Sequence, residues 1–391
     1  MTVALALGLL SLAIWVHLLT LRGGFWLARE RDDRETILPP ARWPAVVAVV
    51  PARNEADVIG RSVGSLLAQA YPGPFRIVLV DDGSDDGTAE AARRAADTGR
   101  GDERLTVLRG AALPAGWTGK VWAQHQGIQA AAMAADAPEF LLLTDADIGH
   151  APDNLRQLVA RAERDGRVLV SLMAELSCRT AAERWLIPAF VFFFQMLYPF
   201  AWANRADRPL AAAAGGCMLV RRAALERAGG IAAIRGEIID DCALARALKR
   251  QGPIWLGLTR RAQSLRPYDG LGEIGRMVSR SAYAQLRYSP LLLAGTVVGM
   301  AITYLAGPLL ALFGSGMPQL VGAATWLLMA VAFAPMLHFY RQSPLWGVAL
   351  PAIAAAYTVF TVQSAVQVWR GAGGLWKGRA QARVGDMMSD A

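Results

Sequence analysis

Charged side chains and cysteines are both scarce in this sequence. Charged residues make up 18% of the 391 residues and hydrophobic residues 54%, which is apolar for a soluble protein. The three cysteines, Cys178, Cys217 and Cys242, have no metal-ligand spacing, so we expect them to be reduced and buried. The four histidines show no ligand pairing either. The sequence therefore gives no sign of a disulfide framework or of a Cys/His metal centre.

Basic clusters typical of nucleic-acid binding are also absent. The formal net charge is +8, yet no run of basic residues interleaved with aromatic residues occurs. Basic residues that flank membrane helices and meet anionic lipid headgroups explain the same charge. We therefore expect a membrane as a partner and no nucleic acid.

Charges are missing altogether from four long apolar segments. Each segment holds enough residues to cross roughly 30 Å of hydrocarbon as a helix. The segments are Val3–Leu21, Pro290–Phe313, 318–340 and 345–369. The chain between the first and second segments is more polar, so the sequence predicts a membrane protein with a water-soluble middle.

The first apolar segment is either a cleaved signal peptide or an uncleaved anchor. No basic residue precedes it, and no small-X-small cleavage site ends it. Four arginines follow it: Arg22, Arg29, Arg31 and Arg34. By the positive-inside rule these arginines hold the following domain in the cytoplasm. We therefore predict an uncleaved membrane anchor over residues 1–24.

Apolar runs alternate with helical patterns from residue 46 onwards. Strands are predicted at 46–50, 76–80, 104–108 and 140–143, and helices at 55–70, 86–96 and 120–135. Pro51 is expected to end the first strand. This alternation predicts an α/β fold, with a parallel sheet connected by right-handed crossovers.

The pattern after residue 150 is less regular. Helices are predicted at 152–165, 222–228 and 241–250, and strands at 168–173, 210–220 and 253–258. Residues 185–203 are apolar enough for hydropathy to predict one more membrane helix. A crossing there would separate Asp240 and Asp241 from Asp145 by the membrane, so we predict an interfacial or re-entrant helix instead.

Acidic residues follow three of the predicted strands. They lie in Pro51-Ala-Arg-Asn-Glu55, Asp81-Asp-Gly-Ser-Asp85 and Asp145-Ala-Asp147. Open parallel sheets bind their ligands at the carboxyl ends of the strands. An Asp-X-Asp pair there suits a divalent cation, and a cation suits a diphosphate. The spacing therefore points to a nucleotide-sugar site in which Asp145 and Asp147 meet the metal.

Each acidic motif also has a structural explanation. Asp-Gly-Ser after Asp82 is ordinary turn chemistry, and Asp-X-Asp is common by chance. Asn54 and Glu55 could form a helix N-terminus, where the dipole favours an acidic side chain. In the functional interpretation, Asp82 accepts the imide N–H of a uracil ring and Glu55 binds the ribose hydroxyls.

Two further motifs precede predicted helices. Lys120 ends Trp117-Thr-Gly-Lys120 at a helix N-terminus, where the dipole disfavours a cation. Contact with a phosphate would explain a lysine at this position. Asp240 and Asp241 precede another helix, and they either cap it or include a general base poised by the neighbouring charge.

Together these motifs resemble the family-2 inverting glycosyltransferases with the GT-A fold. Family members show Pro-X-X-Asn-Glu, Asp-Asp-Gly-Ser, Asp-X-Asp and a Glu-Asp or Asp-Asp base motif in this order, and residues 46–250 contain all four. The resemblance implies that Asp82 binds uracil and that Asp147 binds the metal, as Mg²⁺ or Mn²⁺. It also implies that Asp241 is the catalytic base, next to Asp240.

The same resemblance implies further substrate-binding positions. The segment Gly215-Gly-Cys-Met218, which contains Gly216, looks like the acceptor-side strand of the family. Pro51 and Asn54 belong to the first motif of the donor site. These positions complete the donor and acceptor sides that the resemblance implies.

A closer resemblance is to the membrane-bound ceramide-glucosyltransferase branch. The Trp-X-Gly-Lys segment at Trp117–Lys120 and the terminal Trp-Lys-Gly-Arg at Trp376–Arg379 carry this resemblance. The combination of Trp117–Lys120, Arg280–Tyr288 and the four-segment layout makes the chain most similar to the hopene-associated glycosyltransferases of bacteria. That similarity implies a uridine diphosphate sugar, a lipid acceptor and a hopanoid or related pathway. The family's Gln-X-X-Arg-Trp motif is altered here, which argues against a processive polymerase, although Arg287 can still meet a diphosphate.

The number of predicted membrane crossings conflicts with the charge of the C-terminal tail. It comprises an anchor, a GT-A domain over 44–285, membrane helices over 290–370 and a basic tail over 371–391. Three crossings after a cytoplasmic domain would leave Lys377 and Arg379 outside, against the positive-inside rule. Either one segment is re-entrant, for which Gly307-Pro308 makes Pro290–Phe313 a candidate, or the rule is broken. We expect the tail to be cytoplasmic.

The sequence thus predicts an inverting glycosyltransferase in the bacterial inner membrane, with its catalytic domain in the cytoplasm. Two alternatives stay open. A polyisoprenyl-phosphate glycosyltransferase would use a phosphate as acceptor and would need no strong base. A non-catalytic membrane scaffold would keep the fold without the chemistry. The sugar, the acceptor and the oligomeric state are not determined by the sequence.

Overall fold

The computed structural model describes residues 2–97, 102–133, 137–371, 375–376 and 379–380. The chain divides into two compact units. The helical unit comprises Met1–Arg29, Cys178–Ala201 and Pro267–Gly374, and the sheet unit comprises Glu30–Ser177, Trp202–Arg266 and Leu375–Ala391. Each unit is therefore assembled from stretches that are distant in sequence.

The strands and helices are numbered along the chain. The strands are β1 (Val46–Ala52), β2 (Phe75–Asp81), β3 (Leu105–Arg109), β4 (Phe140–Thr144), β5 (Ile148–His150), β6 (Leu169–Glu175), β7 (Cys217–Arg221), β8 (Ile254–Ser264), β9 (Leu375–Trp376) and β10 (Arg379–Ala380). The helices are α1 (Val3–Leu21), α2 (Ile59–Leu67), α3 (Thr88–Ala96), α4 (Gly119–Ala132), α5 (Asn154–Arg164), α6 (Ala181–Leu197), α7 (Phe200–Ala203), α8 (Arg222–Arg227), α9 (Asp240–Lys249), α10 (Leu271–Gln285), α11 (Pro290–Met300), α12 (Ala306–Phe313), α13 (Met317–Phe339) and α14 (Leu350–Trp369).

The first eight strands form one mixed sheet in the order β3-β2-β1-β4-β7-β6-β8-β5. Strands β1 to β4 are mutually parallel, as the alternating pattern predicts. The second half of the chain, for which the sequence predicts no strand direction, adds β7, which runs antiparallel to β4 and β6, and β5, which runs antiparallel to β8. The chain between β6 and β7 is not a simple crossover helix, so it does not impose the parallel direction.

Strand β1 continues through Pro51 to Ala52, so the prediction that Pro51 ends it is wrong. The last register pair between β1 and β4 is Val49 with Leu143. Pro51 therefore lies where β1 keeps only β2 as its register partner. A residue without an N–H is tolerated best where a strand lacks a neighbour on one side.

Both faces of the sheet are covered by helices. Along β1, Val46, Ala48 and Val50 pack in the cluster that includes α2, α3 and α5, whereas Val47 and Val49 pack in the cluster that includes α4, α8 and α9. Side chains alternate between the faces of a strand, so a strand buried on both faces must be apolar throughout. The continuous valine run of β1 meets that requirement.

Two strand predictions in the second half need correction. The small-residue run predicted at 210–220 is a strand only from Cys217, because the register with β4 and β6 begins there. The last strand extends to Ser264 rather than to 258, because β5 pairs with its second half. Both errors arise from pairing partners that the local pattern does not reveal.

The described residues include four helical segments long and apolar enough to cross a membrane: Val3–Leu21, Pro290–Phe313, Met317–Phe339 and Pro344–Trp369. They match the four predicted segments closely. The second contains a π-helical turn at Ala301–Leu305. In that turn the Thr303 carbonyl would accept a bond from residue 308, which is proline and has no N–H. Trp15 Nε1 donates to Thr303 O over 2.8 Å instead.

Helix α6 is not a simple membrane crossing. The strand before it, β6, and the strand after it, β7, are antiparallel neighbours in one sheet. Both ends of α6 therefore connect to the same folded unit, which a single crossing would split. Its location at the headgroup level stays a prediction.

Close packing of α4 on the sheet gives a test of this architecture. A Cβ on Gly127 would lie 2.5 Å from Val49 Cγ1 and 3.1 Å from Val80 Cγ2. We expect Gly127→Ala to destabilise the protein by about 1–3 kcal/mol, because the added methyl group overpacks this contact. The measurement is the thermal unfolding midpoint of the purified protein in detergent.

Gly64, within α2, provides the matched control, since a Cβ there meets no atom within 4 Å. Gly64→Ala should be neutral or stabilising by up to about 1 kcal/mol through helix propensity. Equal effects of the two substitutions would show that α4 does not pack on β1 as described.

Candidate functional site

The acidic motifs meet at one edge of the sheet. Strands β2, β1 and β4 are adjacent and parallel, so their carboxyl ends lie side by side. The chain moves outward from β1 to β2 and β3, then crosses to β4 on the other side of β1. Such a reversal of strand order opens a crevice at the strand ends, where open α/β sheets bind ligands.

The two aspartates at the end of β2, Asp81 and Asp82, have different surroundings. Asp81 Oδ1 accepts hydrogen bonds from the backbone N–H and the hydroxyl of Ser84, so Asp81 builds the turn. Asp82 is 1% exposed, and its N–H donates to Ala52 O over 2.8 Å. The Arg53 guanidinium binds the Asp82 carbonyl and lies 3.9 Å from its Oδ2.

Asn54 connects this turn to the end of β1. Its φ of +50° lies in the left-handed region, which asparagine tolerates better than most residues. The Asn54 N–H donates to Ser84 Oγ over 3.0 Å, and Asn54 Oδ1 accepts from the Asp85 N–H over 3.1 Å. The structure thus assigns Asn54 a scaffolding task, while Pro51 is buried inside β1.

Lys120 joins the end of β4 to the start of α9. Its Nζ lies 2.9 Å from Asp145 Oδ1 and 3.3 Å from Asp240 Oδ2. Burial lowers the pKa of Lys120, but Asp145 and Asp240 outweigh it and leave the pKa well above its ordinary value. The ammonium group is therefore charged, and it compensates carboxylates from two distant parts of the chain.

Asp241 is held by two backbone donors. Its Oδ2 accepts from the Gly215 N–H over 2.9 Å and its Oδ1 from the Cys242 N–H over 2.7 Å. Burial raises the pKa of Asp241 to about 6, with Asp240 adding to the effect and Lys120 opposing it. Asp240 and Asp241 occupy the first turn of α9 and do not precede it as predicted, and the N-cap residue is Ile239.

Arg266 is a site residue that the sequence reasoning missed. Its guanidinium binds the Glu55 carboxylate, lies 3.3 Å from Asp57 and comes within 3.8 Å of Asp147 Oδ2. Arg266 stands two residues beyond β8, whose second half the sequence pattern did not reveal. A prediction of that longer strand would have placed Arg266 near the crevice.

Asp147 lies in an acidic environment despite Arg266. Burial, together with the nearby Asp145 and Glu55 carboxylates, raises the pKa of Asp147 to about 6, although Arg266 opposes the change. Among the described residues, no group of three or more His, Cys, Asp or Glu side chains is arranged to hold a metal ion.

A buried network connects β5 to the end of β4. The Thr144 hydroxyl donates to Gly216 O over 2.7 Å, so it accepts from His150 Nε2, 3.0 Å away. His150 Nδ1 then accepts from the Asn154 amide over 2.9 Å. Burial lowers the pKa of His150 to about 4, so the ring is neutral. The sequence reasoning gave His150 no role, and the structure shows it bracing the segment that carries Asp145 and Asp147.

Two adjacent glycines pack tightly at this edge. A Cβ on Gly216 would lie 3.2 Å from Ile148 Cδ1, and a Cβ on Gly215 would lie 3.1 Å from Lys120 Nζ. Gly215 also presents its N–H to Asp241. The two glycines thus let the backbone before β7 approach the charged cluster. The predicted contact of Gly216 with the acceptor substrate stays a prediction.

Two more substrate-binding residues were predicted, Arg287 and Trp376. Arg287 belongs to the helical unit, where it is exposed and has a φ of +51° just after α10. Trp376 lies in β9 and pairs with Arg379, but its side chain is outside the described residues. Their predicted roles therefore rest on the sequence.

Comparisons with known proteins bear on the sheet unit. Residues 47–229 match the family described as Glycosyl transferase family 2. It also resembles the solved structure of a mannosyltransferase from Pyrobaculum calidifontis in complex with GDP-Man and Mn²⁺, with 21% identity and a TM-score of 0.56 over 94% of this chain and 99% of that chain. The sheet unit thus has the predicted GT-A fold.

Two curated relatives match shorter stretches. The chain is 47% identical over 64 residues to the succinoglycan biosynthesis protein ExoU of Rhizobium meliloti, which is 16% of this chain and 17% of that protein. It is 33% identical over 144 residues to an N-acetylglucosaminyltransferase of Rhizobium leguminosarum bv. viciae, which is 37% of this chain and 31% of that protein. The chain thus spans less than a third of either relative.

The neutral His150 network makes stability depend on pH. An unfolded histidine has a pKa of about 6.5, so the unfolded chain binds the extra proton first as the pH falls towards 4. We expect a loss of about 2 kcal/mol at pH 5 relative to pH 7 from this residue alone. His150→Gln should remove that part of the pH dependence, as measured by unfolding midpoints at both pH values.

Other carboxyl groups titrate in the same range, so the informative quantity is the difference between wild type and variant. Unfolding midpoints that change by the same amount in both proteins would show that the folded protein does not hold His150 neutral.

Proposed function

We propose that this protein is a membrane-bound glycosyltransferase that moves a sugar from a nucleotide-diphosphate donor to a lipid acceptor. The observation that carries the proposal is the convergence of Asp145, Asp240 and Asp241 around Lys120 at the strand ends. The family-2 domain and the GT-A fold support the use of a nucleotide sugar.

The donor is proposed to lie along the ends of β2, β1 and β4. Asp82, buried at the turn that Arg53 and Asn54 support, would accept the imide N–H of uracil in a uridine diphosphate sugar. Glu55 would bind the ribose hydroxyls, and Lys120 would meet a phosphate oxygen as a point charge. Because Lys120 already contacts two carboxylates, its side chain is held in place before a phosphate binds.

The carboxylates at the end of β4 fit a divalent cation. Asp147 has a raised pKa next to Asp145 and Glu55, which marks a place with excess negative charge. Mg²⁺ and Mn²⁺ sites of this kind use one or two carboxylates together with substrate phosphates. Asp145 and Asp147 would hold the ion, which when bound would neutralise charge on the departing diphosphate.

Asp241 is proposed to remove the proton from the acceptor hydroxyl. Its two backbone bonds fix the carboxylate, and each oxygen keeps a lone pair for a proton. With a pKa of about 6 the group is ionised at pH 7 and is more basic than an ordinary aspartate. The acceptor oxygen then forms a bond to the anomeric carbon, while the bond to the diphosphate breaks and its electron pair leaves with the phosphate. This single displacement inverts the anomeric centre.

A lipid acceptor is proposed because of the helical unit. Four segments among the described residues are long and apolar enough to cross a membrane. The arginines that follow α1 favour a cytoplasmic sheet unit at the bacterial inner membrane. The resemblance to hopene-associated enzymes makes hopanoids or related lipids the first acceptors to try.

The role of Asp241 can be tested by transfer assays in lipid with labelled nucleotide sugars. We expect Asp241→Asn to lower kcat by about 10²–10⁴-fold, because the amide cannot accept the proton, while nucleotide affinity stays nearly unchanged. Asp207→Asn is the matched control, since Asp207 is an exposed aspartate of the same unit.

Two results would contradict this assignment. Loss of nucleotide binding in Asp241→Asn would move Asp241 to the donor site. Full activity would favour a polyisoprenyl-phosphate acceptor, whose phosphate needs no base to deprotonate it.

The cation site has a separate readout in nucleotide binding. Titration calorimetry with a uridine diphosphate sugar should show tighter binding with Mn²⁺ than with a chelator. Replacing Asp145 and Asp147 together by asparagine should abolish that difference, because the carboxylates that hold the ion are lost.

The same titration distinguishes an enzyme from a scaffold. A wild-type protein that shows no metal-dependent nucleotide binding, and a double variant that behaves like it, would favour the non-catalytic scaffold. The Asp207→Asn control should keep the wild-type response.

A further inference from the structure

Packing within the helical unit sets the directions of its apolar segments. A Cβ on Gly8 of α1 would lie 3.0 Å from Leu310 Cδ1 and 3.3 Å from Val321 Cγ1, and Trp15 bonds the Thr303 carbonyl. The stretch from Thr303 to Leu310 therefore runs antiparallel to α1. Because Thr303 and Leu310 lie on either side of Gly307-Pro308, the segment keeps one direction through this pair, which argues against re-entrance there.

Helix α13 returns from that crossing. Gly307 packs closely on Gly322 and Thr325, and Gly314 lies beside Gln319, so α12 and α13 form a tight antiparallel pair. Small residues allow this close approach between membrane helices. The end of α13 at Phe339 is thus on the side where Pro290 begins, which we name the entry side.

The segment after α13 turns back along it. A Cβ on Gly347 would lie 2.7 Å from Ala330 O and 3.0 Å from its Cα, so the two backbones are in close contact. Ala330 is nine residues before Phe339, which is about 13 Å along a helix. Trp326 Nε1 donates to Val348 O over 3.0 Å. The 3₁₀ segment Pro344–Ala349 therefore descends to roughly the middle of a bilayer core of about 30 Å.

Helix α14 then leads back to the entry side. Ser364 Oγ accepts from the Tyr283 N–H, and Ala365 clusters with Tyr283 and Leu293. The rings of Trp369 and Tyr283 are 5.8 Å apart. Leu293 is in the first turn of the Pro290–Phe313 crossing, and Tyr283 precedes it in sequence. The end of α14 is thus beside the beginning of that crossing.

We propose that Pro344–Trp369 is a re-entrant segment, which enters and leaves the membrane on the entry side and does not cross it. The chain then crosses the membrane three times, through α1, Pro290–Phe313 and α13. This inference concerns the membrane unit and does not depend on the sugar, the acceptor or the proposed chemistry.

The distribution of charge agrees with this topology. On the far side, the loop Gly314-Ser-Gly316 has no charged side chain. The entry side would carry basic residues that flank the membrane segments: Arg22, Arg29, Arg287, Arg341, Arg370, Lys377, Arg379 and Arg383. A fourth crossing, by Pro344–Trp369, would move the last four to the far side, against the positive-inside rule.

Single cysteines in the full-length protein can test the proposal. Starting from a variant without the native cysteines, Ser389→Cys reports the tail, Ser315→Cys the loop between α12 and α13, and Asp207→Cys the sheet unit before the first C-terminal crossing. A membrane-impermeant maleimide is applied to inside-out and right-side-out vesicles. We expect Ser389→Cys and Asp207→Cys to label in the same vesicles, and Ser315→Cys to lose labelling there and gain it in the opposite ones.

Two labelling patterns would overturn the proposal. If Ser389→Cys labels together with Ser315→Cys and not with Asp207→Cys, Pro344–Trp369 is a fourth crossing. If all three positions label in the same vesicles, the re-entrant segment is Pro290–Phe313 instead. The thermal unfolding midpoint of each variant serves as the check that the protein is folded.

Discussion

The ammonium group of Lys120 links parts of the chain that are about a hundred residues apart in sequence. Asp145 follows β4, and Asp240 and Asp241 begin α9. All three carboxylates lie near this one ammonium group. Without it they would place like charges together in partly buried positions, which is unfavourable unless a ligand compensates them. Lys120 can therefore hold these acidic residues close together at the edge of the sheet before any substrate binds.

A second charge pair organises the other half of the crevice in the same way. Arg266 engages Glu55 and approaches Asp147, so each acidic motif has a cation from elsewhere in the chain. Behind these charges the neutral His150 network braces the segment between β4 and β5. The charged side chains of the crevice are thus held in position by buried, uncharged hydrogen-bonding groups. Such fixed positions suit a site in which the charge of the substrate changes during the reaction.

The helical unit faces a different constraint, because hydrocarbon offers no partner for a free backbone carbonyl. Two indole N–H groups donate hydrogen bonds to such carbonyls. Trp15 bonds the Thr303 carbonyl at the π-helical turn, and Trp326 bonds the Val348 carbonyl in the 3₁₀ segment. Both breaks in regular helix are therefore compensated by a neighbouring helix. The same two contacts also fix how the apolar segments run past one another.

Much of the architecture was predictable because its signals are local. The valine run of β1, the helical spacing of α2 and the apolar membrane segments can each be read from neighbouring residues. Other features were not predictable in this way. The antiparallel direction of β7, the extension of β8 by β5 and the left-handed conformation of Asn54 each depend on a partner that is distant in sequence. Pro51 was misjudged because its tolerance depends on where the neighbouring strand ends.

By itself the sequence determined which segments are apolar, which alternate between strand and helix, and which carboxylates follow strands, because hydrophobicity and periodicity are properties of adjacent residues. Only the tertiary structure decided that Lys120 and Arg266 would meet those carboxylates, that His150 would stay neutral, and in which direction each membrane segment runs. Such contacts are made across a sheet edge or between helices, and their energies depend on distance and burial, which chain order does not specify.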